Sequence, residues 1–360
     1  MSGKLDPEEL RQRFETKVRP YLDTLRGGGF SEQPPRFVSV GGQPGAGKSG
    51  VLRDMRLAHP DAVVVNGDEL RQFHPEYGRL MREDPLRMPE VTAPASGPWV
   101  GMSNEYLRGE RVSAIVETTL RDASMLQGEF QAFKDAGYVT ELRVVAVPLE
   151  VSRVGTVSRY VEQVKDNGAG RWTPGAAHDV AAANVGGTVR DLVASGVVDR
   201  VVVQDRQGQV FHDEQVSMGG VERGEAARSA VERARDVTNL SPEQAQAWVG
   251  YTRDALSERV RLGQDDPDLV GVCNRLAAVD ARAVVPQAYP GDVKAQSAAL
   301  KDLAQAGNLS LSDHIDSRVA AKRAGSFPSP ARDAVKVTPQ VGDGPRLEKP
   351  EEGRAPRGSR

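Results

Sequence analysis

Cysteine, charge of one sign and long apolar runs are all scarce in this chain. A single cysteine, Cys273, stands among 360 residues, which excludes an internal disulfide framework and suits a reducing compartment. No run approaches the roughly 18 apolar residues of a membrane-spanning helix. The first twenty residues are charged throughout and lack the apolar centre of a signal peptide. Lys and Arg number 47 against 50 Asp and Glu, a net charge of -3, which argues against wholesale binding to nucleic acid or a membrane surface. The five histidines include His178, His212 and His314, scattered without metal-ligand spacing. No apolar run ends in a convincing Walker B aspartate, which disfavours a switch GTPase or a motor ATPase. These absences leave a soluble, cytoplasmic protein that does its chemistry without disulfides or membrane.

What is present is periodic. Leu10, Phe14, Val18, Leu22 and Leu25 predict a helix over 5–26 that stops at Gly27-Gly28-Gly29. Short Val/Ile/Ala-rich runs at 36–40, 62–66, 113–117, 142–147 and 200–204 predict five strands. They alternate with helical stretches at 50–57, 123–136, 150–164 and 174–194. Near-continuous apolar strands between helices are what a parallel sheet covered on both faces requires. The expected fold is α/β, a doubly wound, mostly parallel sheet of the P-loop NTPase type, with a C-terminal helical appendage and a disordered tail. Boundaries fall at 1–29 for the N-terminal helix, 30–215 for the nucleotide-binding domain, 216–323 for the helical region and 324–360 for the tail. In the helical region the expected helices are 220–237, 241–262, 269–281, 292–306 and 311–323. The second opens on Ser241, Pro242 and Gln244, a capping-box pattern. The tail is rich in Pro, Gly, Arg and Glu, and its composition cannot build a core.

One motif carries chemistry outright. Gly42-Gln43-Pro44-Gly45-Ala46-Gly47-Lys48-Ser49 matches the full Walker A pattern between a strand and a helix. Its glycines let backbone N–H groups face a β-phosphate, and the helix N-terminus adds positive potential. Lys48 would neutralise β- and γ-oxygens of ATP, and the Ser49 hydroxyl would ligate Mg²⁺. A chance match in a chain this long is on the order of one per cent.

The phosphate acceptor should lie at the carboxyl ends of the neighbouring strands. Asp68 follows the second strand (VVVNGDEL) and reads equally as a general base or as a helix N-terminal charge. Glu117, Thr119 and Arg121 follow the third strand and read either as ligand-binding groups or as a polar loop. Arg159, in a helix, and Arg171, after a Gly-rich loop, fit stabilisation of charge on a transferring phosphoryl; surface arginine is the ordinary alternative. Trp172 reads as packing before stacking, and Cys273 as a buried small hydrophobe.

Taken in order, GQPGAGKS, GDELRQFHP, IVETTLRD and TVSRYVEQ…GRWTP resemble the zeta toxin family over roughly residues 30–215. The resemblance implies an ATP-dependent kinase that phosphorylates the 3′-hydroxyl of UDP-N-acetylglucosamine and is restrained by a small helical antitoxin. It further implies Lys48 and Ser49 as P-loop positions, Asp68 as catalytic base with His74-Pro75 trailing it, and Glu117, Thr119 and Arg121 as the substrate segment. Arg159 and Arg171 fall on the phosphate-binding arginines, and Glu105 on a substrate-binding glutamate in a stretch, 99–111, that reads as shortened. Helical antitoxins of this family are understood to block the nucleotide site, so the appended helices read as an inhibitory module in cis or as a docking platform. Two alternatives stand beside the kinase: a P-loop kinase for another small-molecule or nucleic-acid hydroxyl, and a non-catalytic ATP-binding regulator.

Overall fold

The structure, a computed structural model, describes residues 4–26, 33–216 and 218–308. The predicted stop at Gly27–Gly29, the predicted helix 311–323 and the tail 324–360 lie outside the described residues.

Six strands form one sheet: β1 (Arg36–Gly41), β2 (Val63–Val65), β3 (Ala114–Thr118), β4 (Val139–Val145), β5 (Arg200–Gln204) and β6 (Val210–Gln215), in the order β2-β3-β1-β4-β5-β6. The first five pair in parallel and β6 closes the edge antiparallel to β5. Five of the six residues of β1 are buried, as a central strand covered on both faces must be. Helices α1 (Pro7–Arg13) and α2 (Arg19–Leu25) are joined by a π-helical turn at Phe14–Val18, so the predicted first helix carries a local underwinding. Then follow α3 (Lys48–Ala58), α4 (Gly67–Leu70), α5 (Tyr77–Glu83), α6 (Met88–Gly109), α7 (Ala123–Asp135), α8 (Leu149–Asn167) and α9 (Gly175–Ala194).

Helix α6 is longer than the sequence suggested. Its 22 residues include Pro94 and Pro98, which read as breakers because each removes a backbone donor. Packing overrides them. Met88, Thr92, Ala95, Trp99, Ser103 and Leu107 recur at helical spacing and are all buried, and Trp99 Nε1 donates to the Leu10 carbonyl at 3.0 Å. The stretch 99–111 is therefore the end of a long helix rather than a shortened one.

Beyond β6 lie α10 (Val221–Arg235), α11 (Pro242–Arg261), α12 (Pro267–Arg275), α13 (Ala281–Ala288) and α14 (Val293–Ala306). The predicted capping box of α11 forms, with Ser241 and Gln244 bonded reciprocally. A π-helical turn at Leu276–Asp280 separates α12 from α13. These helices share cores with the sheet domain. Ala227, Ala230, Val231 and Ala234 of α10 sit in the same apolar cluster as Phe37, Leu142 and Val203. Helices α11 to α14 close a second cluster with Val157, Tyr160 and Val161 of α8. Cys273 is buried in that cluster, and burial pushes its thiol up to about 12. Among the described residues no helix is long and apolar enough to cross a membrane.

Candidate active site

The loop between β1 and α3 owes its shape to two glycines above all. Gly45 (φ 75°) and Gly47 (φ 97°) occupy left-handed backbone space, which residues with a Cβ seldom adopt. A Cβ on Gly45 would collide with the Ser152 carbonyl, and one on Gly47 would lie 2.8 Å from Cβ of Arg206. Side chains from other elements brace the turn. Gln43 is fully buried; its Nε2 donates to the Val147 carbonyl at 2.9 Å, and its Oε1 accepts from Arg235 Nη2 at 2.7 Å. Arg206 Nη2 donates to the Gly45 carbonyl at 2.9 Å. Lys48 Nζ donates to the carbonyls of Gly42 and Gln43 at 3.0 and 3.2 Å and lies 3.5 Å from Glu117. Burial lowers the ammonium pKa, and the Glu117 carboxylate opposes that.

At the carboxyl ends of β1, β2 and β3 the chain opens a cavity of about 620 Å³, lined by Ser49, Asp68, Glu117, Arg159 and Arg171 among others. The topology explains the convergence. In an open parallel sheet, loops after adjacent strands meet at the point where strand order reverses, and here β1 lies between β3 and β4. Asn66, the N-cap of α4, accepts from the Asp68 amide at 2.9 Å and fixes the start of the helix that carries Asp68. The Asp68 carboxylate pairs directly with Arg171 and, at 3.0 Å, with Arg71 Nε. Burial pushes the carboxyl up, but the two guanidinium groups outweigh it and hold it below its ordinary value. Burial, and then the like charge of Arg171, bring Arg159 down to about 10, so it stays cationic at neutral pH. Arg159 Nη2 donates to Thr173 at 2.6 Å, while its buried Nε has no hydrogen-bond partner.

The structure thus brings Ser49, Lys48, Asp68, Glu117, Arg159 and Arg171 into one place. Three predicted residues stay outside it. Glu105 is exposed on α6, near Glu129 of α7, whose carboxyl is pushed up mainly by burial and in small part by Glu105. It lies near the far end of that helix from Met88, the α6 residue that lines the cavity. Thr119 and Arg121 follow β3 but do not line the cavity either, and Arg121 is exposed. Between them Leu120 is fully buried at φ 53°, a strained conformation for a γ-branched residue. Its side chain fills the space over Gly41, where a Cβ would overlap it. Trp172 packs edge-on against Tyr160 and donates to Asp268 at 2.7 Å, which bears out packing as its role.

Several residues escaped the sequence reading. Arg71 lies three residues after Asp68 and Gln163 four after Arg159, spacings that put each pair on one helical face. The Gln163 carboxamide accepts from the Arg171 amide at 2.8 Å. Arg206 and Arg235 gave no local signal, because their roles exist only once the fold brings 150 or more residues of chain back to the loop.

A family model described as Zeta toxin matches residues 23–217. Toxin PezT of Streptococcus pneumoniae serotype 4 is 28% identical over 202 residues, spanning 56% of this chain and 80% of that protein. Toxin zeta of Enterococcus hirae is 26% identical over 204 residues, 54% of this chain and 69% of that one. Among solved structures, one from the PezAT chromosomal toxin-antitoxin system of Streptococcus pneumoniae superposes with a TM-score of 0.58. It is 23% identical and covers 68% of this chain and 97% of that chain, a likeness of fold. The family match takes in every strand and every helix that frames the cavity, and the chain belongs to the zeta toxin family, with a kinase-type, nucleotide-binding fold.

Proposed function

We propose that the chain is an ATP-dependent kinase acting on the 3′-hydroxyl of UDP-N-acetylglucosamine, in the cytoplasm, and that a small helical antitoxin restrains it. The observation that carries this reading is the placement of Asp68 between Arg71 and Arg171 in the cavity that Ser49 also lines. The loop fits the phosphates of ATP: glycines leave room at Gly45 and Gly47, and Lys48 sits buried beneath the turn. Among the described residues no cluster of three or more His, Cys, Asp or Glu could hold a metal ion. Mg²⁺ here would rest on the Ser49 hydroxyl, with Glu117 nearby, and on phosphate oxygens, the shared coordination that this ion favours. When bound it supplies charge neutralisation across the phosphates.

The protein groups divide the remaining work. Asp68, ionised at neutral pH, accepts the proton of the acceptor hydroxyl and aims its oxygen at the γ-phosphorus. A carboxylate held low by two cations is a weak base. Phosphate oxygens that draw Arg171 away would raise the basicity of Asp68 when the substrates are in place. Arg159 offers an unpartnered buried Nε, and donors of that kind stabilise charge that develops in the transition state.

The test is phosphate transfer from labelled ATP to UDP-N-acetylglucosamine, comparing wild type with Lys48→Ala and Asp68→Asn. Wild type should yield a phosphorylated sugar nucleotide, and each variant should lose about 100-fold or more in rate. Asp68→Asn should still bind ATP. The position of Glu105 outside the cavity favours one second reading, transfer to a different small-molecule hydroxyl. Binding of ATP without a sugar-nucleotide product would select it.

A further inference from the structure

A second cavity, of about 240 Å³, lies on the other side of the phosphate loop, over the carboxyl ends of β4 and β5. Its inner wall is made of residues that also brace the loop. Val147 accepts from Gln43, and Arg206 bonds Gly45 and crowds Gly47. Its outer wall is α11, which contributes Ala247, Trp248 and Tyr251 to the lining that Pro148 shares. Trp248 is buried and donates to the Glu150 carbonyl at 2.9 Å, which ties α11 to the first turn of α8. Tyr251 is 66% exposed, an unusual outlay of aromatic surface at the lip of a pocket. None of these three residues lies within 23–217, the reach of the family match.

We propose that this cavity takes the purine nucleoside end of the triphosphate whose phosphates the loop holds, so that α11 forms one wall of the nucleotide site. The inference rests on the reading of the loop as a phosphate cradle. Three observations favour this occupant. The cavity shares its wall with the loop, as the two ends of one short ligand demand. At about 240 Å³ it is smaller than the roughly 300–1,000 Å³ of pockets that enclose a whole ligand, which suits one end of a longer molecule. Its mix of apolar wall (Val147, Pro148, Val154), aromatic rings and carboxamides (Gln207, Gln209) suits a flat heterocycle with a polar edge. The acceptor has separate room in the 620 Å³ cavity beyond Ser49.

The experiment compares ATP with inorganic tripolyphosphate, which has the phosphates but no base, by calorimetry on the full chain. Ala247 is exposed on α11 and lines the cavity, so Ala247→Trp fills the space without touching a core. Tyr251→Ala removes the lip in the opposite sense. Wild type should bind both compounds. Ala247→Trp should weaken ATP at least tenfold, and Tyr251→Ala should weaken it several-fold, while tripolyphosphate affinity and Tm stay as in wild type. Equal ATP affinity in wild type and both variants would overturn the proposal and leave the loop reading intact. Equal losses for ATP and tripolyphosphate would also overturn it, since the damage would then lie at the loop. If wild type bound neither compound, the loop reading would fall first and this one with it.

Discussion

In the proposed transfer the chemistry turns on Asp68, whose carboxylate is held by Arg71 and Arg171. Its pKa is depressed in the fold. It therefore contributes stability that is present above the unfolded carboxylate value, about 3.9, and that is lost as pH falls through the lower folded value. Catalysis should share that direction: the acid limb of the rate profile should lie in the acidic range, with full activity at neutral pH. Arg171→Ala removes the larger of the two cationic influences, so the acid limb should move to higher pH. The rate should also drop by about 100-fold, the order of loss for a lost donor to developing charge. A profile of kcat/KM, which reports the free enzyme, between about pH 4 and pH 8 separates these effects. A lower plateau with an unmoved limb would mean that Arg171 binds phosphate but does not tune Asp68. Leu120 belongs at this scale too. No sequence rule flags a leucine at φ 53°, since the strain is sustained by tertiary packing over Gly41, and that packing is invisible until β1 and β3 lie side by side.

At the scale of elements, what could be read depended on whether burial or polarity shaped the segment. The five parallel strands were legible because both their faces are covered, which forces Val, Ile and Ala into unbroken runs. Strand β6 was not. Its sequence, VFHDEQ, is mostly half-exposed or exposed at the sheet edge, and an edge strand needs no apolar run. The P-loop was legible because its function demands a fixed local pattern; its braces were not, because they arrive from the segments after β4 and β5 and from α10. Arg235 shows the consequence. Its Nη1 donates to Ala182 at 2.8 Å and its Nη2 to Gln43 at 2.7 Å, so one guanidinium joins α10, α9 and the loop. Arg235→Ala leaves a buried carboxamide oxygen without that donor, at a cost of about 1–3 kcal/mol. The expected result is a lower Tm and about tenfold weaker ATP binding, with partial rescue of the affinity by Arg235→Lys. Loss of stability alone, with ATP affinity untouched in both variants, would reduce Arg235 to a structural strut.

The whole molecule bears on the helices after β6, for which inhibition in cis was one reading and docking another. A detachable inhibitor would meet the rest of the protein across a polar, separable surface. Here the contact is a continuation of the core. Four residues of α10 are buried with the sheet, and Arg153 of α8 forms a buried ion pair with Asp280 at 3.1 Å. Asp268 of α12 accepts from Trp172 and from the Gly175 amide, which anchors the segment that carries Arg171. Cutting the chain after residue 217 would strip apolar cover from α8, α9 and β5 and leave Arg153 and Trp172 without these partners. Removing one member of a buried ion pair alone costs about 3–5 kcal/mol, a large share of the roughly 5–15 kcal/mol that holds a domain folded. The truncated chain should therefore aggregate or melt without a cooperative transition, and should show no ATP hydrolysis. Thermal unfolding and hydrolysis of residues 1–217 beside the full chain decide the matter. A folded fragment that hydrolyses ATP faster than the full chain would restore inhibition in cis, whereas loss of fold and activity together would make the appended helices part of the catalytic body.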